Sequence, residues 1–313
     1  MTADTRPRTA PLPHHPAGEP AEVPRGLKGV VVTDTAIGDV RGDEGFYHYR
    51  QHSAVELAAT RTLEDVWALL VDGTLPDGAG RAAFAAEVAP LRHLSPALLD
   101  LVVEVAATAP GTGPLDGLRT VLSAVAAAEG FAPTLDLGPA ERRRDALRLA
   151  AVTPTVVAAL HRAAAGLAPI EPRDDLGHVA GYRWMLTGEE PDPVVARALE
   201  QYLILTVDHG FNASTFTARV ITSTGADVGA AVVGALGALS GPLHGGAPSR
   251  ALALLDEIGD PDRTEALIRH RVTAGERIMG FGHAVYRTVD PRSAFLRDVA
   301  GAIAPERAAF ARR

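Results

Sequence analysis

The segment TLEDVWALLVDG, residues 62–73, repeats apolar side chains at helical spacing and carries its own start and stop signals. Leu63, Val66, Trp67 and Leu70 fall on one face of an α-helix. Thr62 and Asp65 are spaced for a reciprocal capping box, and Gly73 for a left-handed C-terminal cap. The same signals recur along the chain. Ser95 and Pro96 open SPALLDLVVEVAAT as cap and first helical residue. Leu115, Leu118, Val121, Leu122 and Val125 stripe GPLDGLRTVLSAVAAAEG, and Val194, Val195, Ala198, Leu199 and Tyr202 stripe PDPVVARALEQYLILTVDHG. The run DALRLAAVTPTVVAALHRAAAG passes through Pro154, where a kink or break is expected. DRTEALIRHRVTAG and PRSAFLRDVAGAI read as further helices. The one sheet expected is a short two-strand element, with VVVT and FYHYR flanking a Gly/Asp-rich turn. The fold class is therefore mainly α.

A chain of 313 residues exceeds what one hydrophobic core usually organises, so a two-lobed body is expected. The first 25 residues are polar and proline-rich, which predicts a disordered leader, and the His14-His15 pair within it has no partner ligands at useful spacing. The formal charge of −8 is interspersed along the chain, which argues against a nucleic-acid partner. No apolar run approaches the ~20 residues of a membrane span, and the N-terminus lacks a secretory signal. With no cysteine, disulfide and thiolate chemistry are excluded, in keeping with a cytoplasmic location. Several short patterns carry no weight: an Arg41-Gly42-Asp43 tripeptide in a turn, an Asn212-Ala213-Ser214 acceptor site, and glycines at Gly225 and Gly229 without a preceding strand. In TGADVGAAVVGALGALSGPLHGG, glycine and alanine dominate, which suits either a tightly packed inner helix or a subunit interface.

Three histidines sit beside glycine in the last third of the chain: His209 in TVDHGFNASTFTAR, His244 in SGPLHGGAPSRAL and His283 in RIMGFGHAVYRTVDPRSAF. Glycine leaves the backbone open to a ligand, and a neutral imidazole can donate to a carbonyl oxygen on which charge develops. Arg287 and Arg292 add carboxylate or phosphate recognition. Together these residue types suit a small anionic substrate that bears a carbonyl. On spacing alone, packed or surface histidines explain them equally well, and no reaction is specified.

GPLHGGA, GFGHAVYRTVDPR and DHGFNAST, together with the opening block GLKGVVVTDTAIGDVRGDEGFYHYR, resemble citrate synthase. The likeness runs in order from about Gly26 to the last residue, and HGGAPSR in place of the more usual Asn-Glu after HGGA resembles a divergent bacterial branch. The resemblance implies condensation of acetyl-CoA with oxaloacetate and water to give citrate and CoA. No cofactor is implied beyond the coenzyme A thioester substrate, and no metal. His244 is similar to the residue that holds the thioester oxygen of acetyl-CoA and stabilises its enol. His283 is similar to the residue that holds and protonates the oxaloacetate carbonyl. His209 and Arg292 resemble the oxaloacetate-binding pair, Arg287 a coenzyme A phosphate contact, and Gly280, Phe281 and Gly282 the backbone bordering the coenzyme.

The resemblance further implies a helical homodimer, with a large domain over 26–241 and the start of a small domain over 242–313. The segment 226–239 is the expected dimer contact. The family's aspartate base lies well after the His283 block, which places it beyond Arg313. Asp290 is expected to fix its turn, and Asp298 and Glu306 to lie on a helix exterior. The chain is thus expected to be a fragment of such an enzyme or a non-catalytic member lacking the base. Propionyl-CoA, giving 2-methylcitrate, is the alternative substrate, because one methylene changes binding by only ~1–3 kcal/mol. A purely structural scaffold accounts for the helices but not for the ordered His and Arg blocks.

Overall fold

The reciprocal capping box forms: Thr62 Oγ1 accepts from the Asp65 amide and Asp65 Oδ2 from the Thr62 amide, while Gly73 closes the helix at φ 86°. The computed structural model describes residues 30–108, 113–281 and 285–312. The expected leader, Gly282 and His283 lie outside them. Residues 36–313 group as one compact unit, and the chain up to Thr35 groups separately.

Gly38–Arg41 (β1) and Phe46–Tyr49 (β2) form an antiparallel hairpin, with Gly38 opposite Tyr49 and Arg41 opposite Phe46. His52–Ser53 (β3) pairs with the other edge of β2. The first strand is thus GDVR and not VVVT. The valines of VVVT are exposed, Val31 at 87%, and belong to no strand among the described residues. In β2, by contrast, Tyr47 and Tyr49 alternate inward, as a strand with one covered face requires.

Fourteen α-helices follow among the described residues. The first six are α1 (Ala54–Thr60), α2 (Leu63–Asp72), α3 (Gly78–Val88), α4 (Pro96–Thr108), α5 (Pro114–Ala128) and α6 (Pro139–Ala164). Next come α7 (His178–Thr187), α8 (Pro193–Thr206), α9 (Ala213–Thr222) and α10 (Val228–Leu239). The chain continues through α11 (Ala247–Ile258), α12 (Thr264–Thr273), α13 (Pro291–Ile303) and α14 (Pro305–Ala311). Of the kink or break expected at Pro154, the break does not occur: α6 runs on through the proline. Val152 and Val156 are fully buried on either side of the proline, so core packing holds the helix across the missing amide.

One core joins α4, α5 and α6 through Val102, Val121, Leu122 and Val156, with α10 packed against it. A second core lies under the hairpin and unites β2, α1, α2 and α8 through Tyr49, Leu57, Leu69, Ile204 and Leu205. Phe295 and Leu296 of α13 lean on this second core. The stripe expected on α8 is only partly the buried one. Val194 is 61% and Tyr202 42% exposed, whereas Ala196, Ile204 and Leu205 are buried. Neighbours α1, α2, α7 and α13 cover a wider arc of α8 than one stripe.

The small residues of α10 serve packing within the chain. A Cβ on Gly229 would fall 2.4 Å from Ala126 Cβ, and one on Gly234 would fall 2.1 Å from Ile221 Cδ1. Helices α5 and α9 can therefore approach α10 closely. Among the described residues no helix is long and apolar enough to cross a membrane.

Candidate active site

The end of α8 is where the hairpin and the candidate site meet. Tyr49 donates from its hydroxyl to the Ile204 carbonyl at 2.6 Å, and Tyr47 to that of Leu205 at 3.0 Å. Tyr47 also contacts the Asp208 carbonyl. The Ile204 and Leu205 carbonyls belong to the last turn of α8, where the helix itself cannot satisfy them. Burial pushes both phenols well above the ordinary tyrosine range, so they remain donors. Residues 208–210 then turn sharply, with Gly210 at φ 63° donating its amide to Asp208 Oδ2 at 3.2 Å. A Cβ on Gly38 would lie 2.4 Å from that same oxygen, so glycine lets β1 close over Asp208. Burial raises the Asp208 carboxyl above the usual carboxylate range.

This turn presents His209 to two aromatic rings. Its ring centre is 5.1 Å from that of Tyr47 and 5.5 Å from that of Tyr286, and its Nε2 lies 3.1 Å from the Tyr286 hydroxyl. Arg292, in the first turn of α13, places its guanidinium carbon 5.7 Å from the ring centres of both tyrosines. Asp290 caps α13 by accepting the Arg292 amide at 2.9 Å and pairs with the guanidinium at 2.8 Å. Burial works against the Arg292 charge, and the hydrogen bond and charge of Asp290, with Tyr47 and Tyr286 adding to them, more than restore it. Asp290 thus fixes its turn, as the Asp-Pro-Arg pattern leads one to expect.

The segment carrying Tyr286 is pinned by the β1–β2 turn. Gly42 O accepts from the Arg287 amide and from Thr288 Oγ1, both at 3.2 Å. A Cβ on Gly42 would sit 2.0 Å from the Val285 oxygen. The Arg41-Gly42-Asp43 tripeptide is therefore an internal docking turn, with Arg41 engaged to Asp39 and Glu44.

His244 follows α10 in a tight turn, its amide donating to the Gly241 carbonyl at 3.0 Å. Gly245 and Gly246 have no space for side chains: a Cβ would meet Leu239 O at 2.5 Å and Gly241 O at 3.2 Å respectively. His244 Nε2 lies 2.9 Å from Ser214 Oγ, and Ser214 is itself held at 2.8 Å by Asn212 Oδ1, the cap of α9.

His209 and Arg292 thus come together around Tyr47 and Tyr286, and His244 attaches to the same loop a few residues on, at the start of α9. Arg287 and Phe281 are exposed, the latter at 78%, and Gly280 adopts φ 95°. Sequence reasoning gave no site role to Tyr47, Tyr286, Asn212 or Ser214. Three of them lie inside the blocks DHGFNAST and HAVYRTVDPR, whose spacing carries the signal.

The family described as citrate synthase, C-terminal domain, matches residues 26–311. The chain is 38% identical over 284 residues to a citrate synthase of Deinococcus radiodurans, covering 91% of this chain and 74% of that protein. It is 40% identical over 290 residues to a 2-methylcitrate synthase of Mycobacterium tuberculosis, covering 93% and 71%. The fold superimposes on the crystal structure of citrate synthase from Thermotoga maritima with a TM-score of 0.81 at 35% identity, covering 91% of this chain and 75% of that one. It also superimposes on a Thermoplasma acidophilum citrate synthase in ternary complex with carboxymethyl coenzyme A and oxaloacetate, with a TM-score of 0.84 at 25% identity and the same two coverages.

Proposed function

Because the chain belongs to the citrate synthase family of acyltransferases, we propose that its site joins acetyl-CoA to oxaloacetate and hydrolyses the resulting thioester to citrate and CoA. One observation carries the reading most directly: an imidazole and a guanidinium from distant parts of the chain, His209 and Arg292, meet at one pair of tyrosines. A dicarboxylate with an adjacent ketone matches that pairing of charge and hydrogen-bond donor.

The chemistry needs four things: a held ketone, a polarised thioester, a base for the methyl proton, and exclusion of water from the enol. His209 and Arg292 hold the oxaloacetate carboxylates. His244 donates to the thioester oxygen and stabilises the charge that appears there on enolisation. His283 holds and protonates the ketone oxygen as the carbon–carbon bond forms. Arg287 meets a coenzyme phosphate, and residues 280–282 border the coenzyme. The base is assigned to none of the carboxylates next to this block. Asp290 is paired with Arg292, while Asp298 and Glu306 are exposed.

The reaction draws on no cofactor beyond the thioester itself. The protein acts in the cytoplasm as a homodimer through residues 226–239, with a large domain to residue 241 and a small one from 242 that close over the substrates. The test is thiol release from acetyl-CoA with and without oxaloacetate. An oxaloacetate-dependent rate that His283→Ala abolishes supports the reading, and a folded protein with no such rate rejects it.

A further inference from the structure

The tyrosine between His209 and Arg292 has no part in the chemistry assigned so far, yet it touches both groups that hold the substrate. Tyr286 is 6% exposed. Burial, with the Asp290 charge adding to it, pushes its hydroxyl up to about 12, so it stays neutral wherever the enzyme works. A neutral phenol both donates and accepts. It can donate to Nε2 of a neutral His209, leaving the proton on Nδ1, or accept from Nε2–H of a protonated one. In both states Nε2 is engaged and the ring orientation is set. On its other side the phenol ring stands 5.7 Å from the Arg292 guanidinium, within cation–π range, and Tyr47 stands at the same distance. Asp290 occupies the Nε–Nη2 edge of that guanidinium, at 3.2 and 2.8 Å. The backbone on either side of Tyr286 is tied to the β1–β2 turn through the amide of Arg287 and the close contact of Gly42 with Val285.

We propose that Tyr286 is a positioning residue: its hydroxyl orients His209 while its ring, with that of Tyr47, walls Arg292, so that imidazole and guanidinium meet one dicarboxylate as a preset pair. The assignment rests on the reading that His209 and Arg292 bind oxaloacetate. Tyr286→Phe keeps the ring and removes only the hydroxyl, so the variant isolates the hydrogen bond. Calorimetric titration of the full chain with oxaloacetate should show Kd weakened about five- to tenfold, the effect of one hydrogen bond. Kd for acetyl-CoA should stay the same. In a His209→Ala background the phenylalanine should cost nothing further, because the tyrosine acts through that histidine. An unchanged oxaloacetate Kd accompanied by a lower melting temperature would overturn the proposal and make Tyr286 a packing residue. Equal losses in both backgrounds would also overturn it. If wild-type protein fails to bind oxaloacetate at all, the functional reading itself falls, and this inference with it.

Discussion

His244 Nε2 stands 2.9 Å from the hydroxyl of Ser214, which has an acceptor of its own, Asn212 Oδ1, at 2.8 Å. The hydroxyl donates its proton to Asn212 Oδ1, which leaves its lone pairs to accept from Nε2–H of His244 and so fixes the ring by that nitrogen. Asn212 Oδ1 also accepts the Thr215 amide at 3.0 Å.

Ser214→Ala should therefore lower kcat about tenfold while leaving oxaloacetate binding intact, because it frees the ring of the residue proposed to polarise the thioester. Steady-state kinetics with each substrate varied in turn would check this. A rise in the oxaloacetate KM at unchanged kcat would contradict it.

Gly42→Ala should destabilise the protein by about 1–3 kcal/mol, since its Cβ would fall 2.0 Å from the Val285 oxygen and the turn would have to move. The shift would loosen the backbone on both sides of Tyr286. Chemical denaturation measures the stability loss, and oxaloacetate titration should show weaker binding in the same variant.

Glu64 is buried at the start of α7, accepting the His178 amide at 2.6 Å with the buried Arg92 guanidinium 3.7 Å away. Glu64→Ala leaves that arginine charge unpaired in the core and the helix uncapped. A loss of about 3–5 kcal/mol is expected in urea unfolding. Glu64→Gln, which keeps the amide partner, should lose less than Glu64→Ala.

His178 sits edge-on to Trp67, with ring centres 4.8 Å apart. Burial, followed by the Arg92 charge, pushes its pKa down to about 3. The unfolded chain, with an ordinary histidine pKa near ~6.5, takes up a proton that the folded one refuses. Stability should thus be unaffected by this group above that value. It should fall as pH drops from about 6.5 towards 3, by up to about 1.4 kcal/mol per pH unit. His178→Gln should lack this contribution, so the difference between the two stability curves should be constant above about pH 6.5 and slope below it.

Acetyl-CoA should be preferred over propionyl-CoA by about tenfold or more in kcat/KM, as one methylene in a fitted pocket allows. The reverse preference in a competition assay would assign the chain to 2-methylcitrate formation.

The helices and most of their ends were legible in the sequence, because caps such as Thr62–Asp65 and stops such as Gly73 are local chemistry. What failed depended on neighbours distant in sequence. The buried arc of α8 is decided by four helices around it, and α6 survives Pro154 through its packing. The valines of VVVT have strand propensity, yet they are exposed and form no strand among the described residues. Of the candidate residues, His209 and His244 stood out by their neighbouring glycines and Arg292 by its Asp-Pro-Arg context. Their tyrosine and serine partners did not, because a hydrogen bond between residues 209 and 286 leaves no periodic trace.

The docking of Gly42 onto Arg287 also orders events in time. A growing chain can bury the α4–α5–α6 core from residues close in sequence, whereas this contact must close a loop of more than two hundred residues. An intermediate that has yet to release residues 285–288 from the ribosome therefore leaves the β1–β2 turn undocked, whatever core it has already formed.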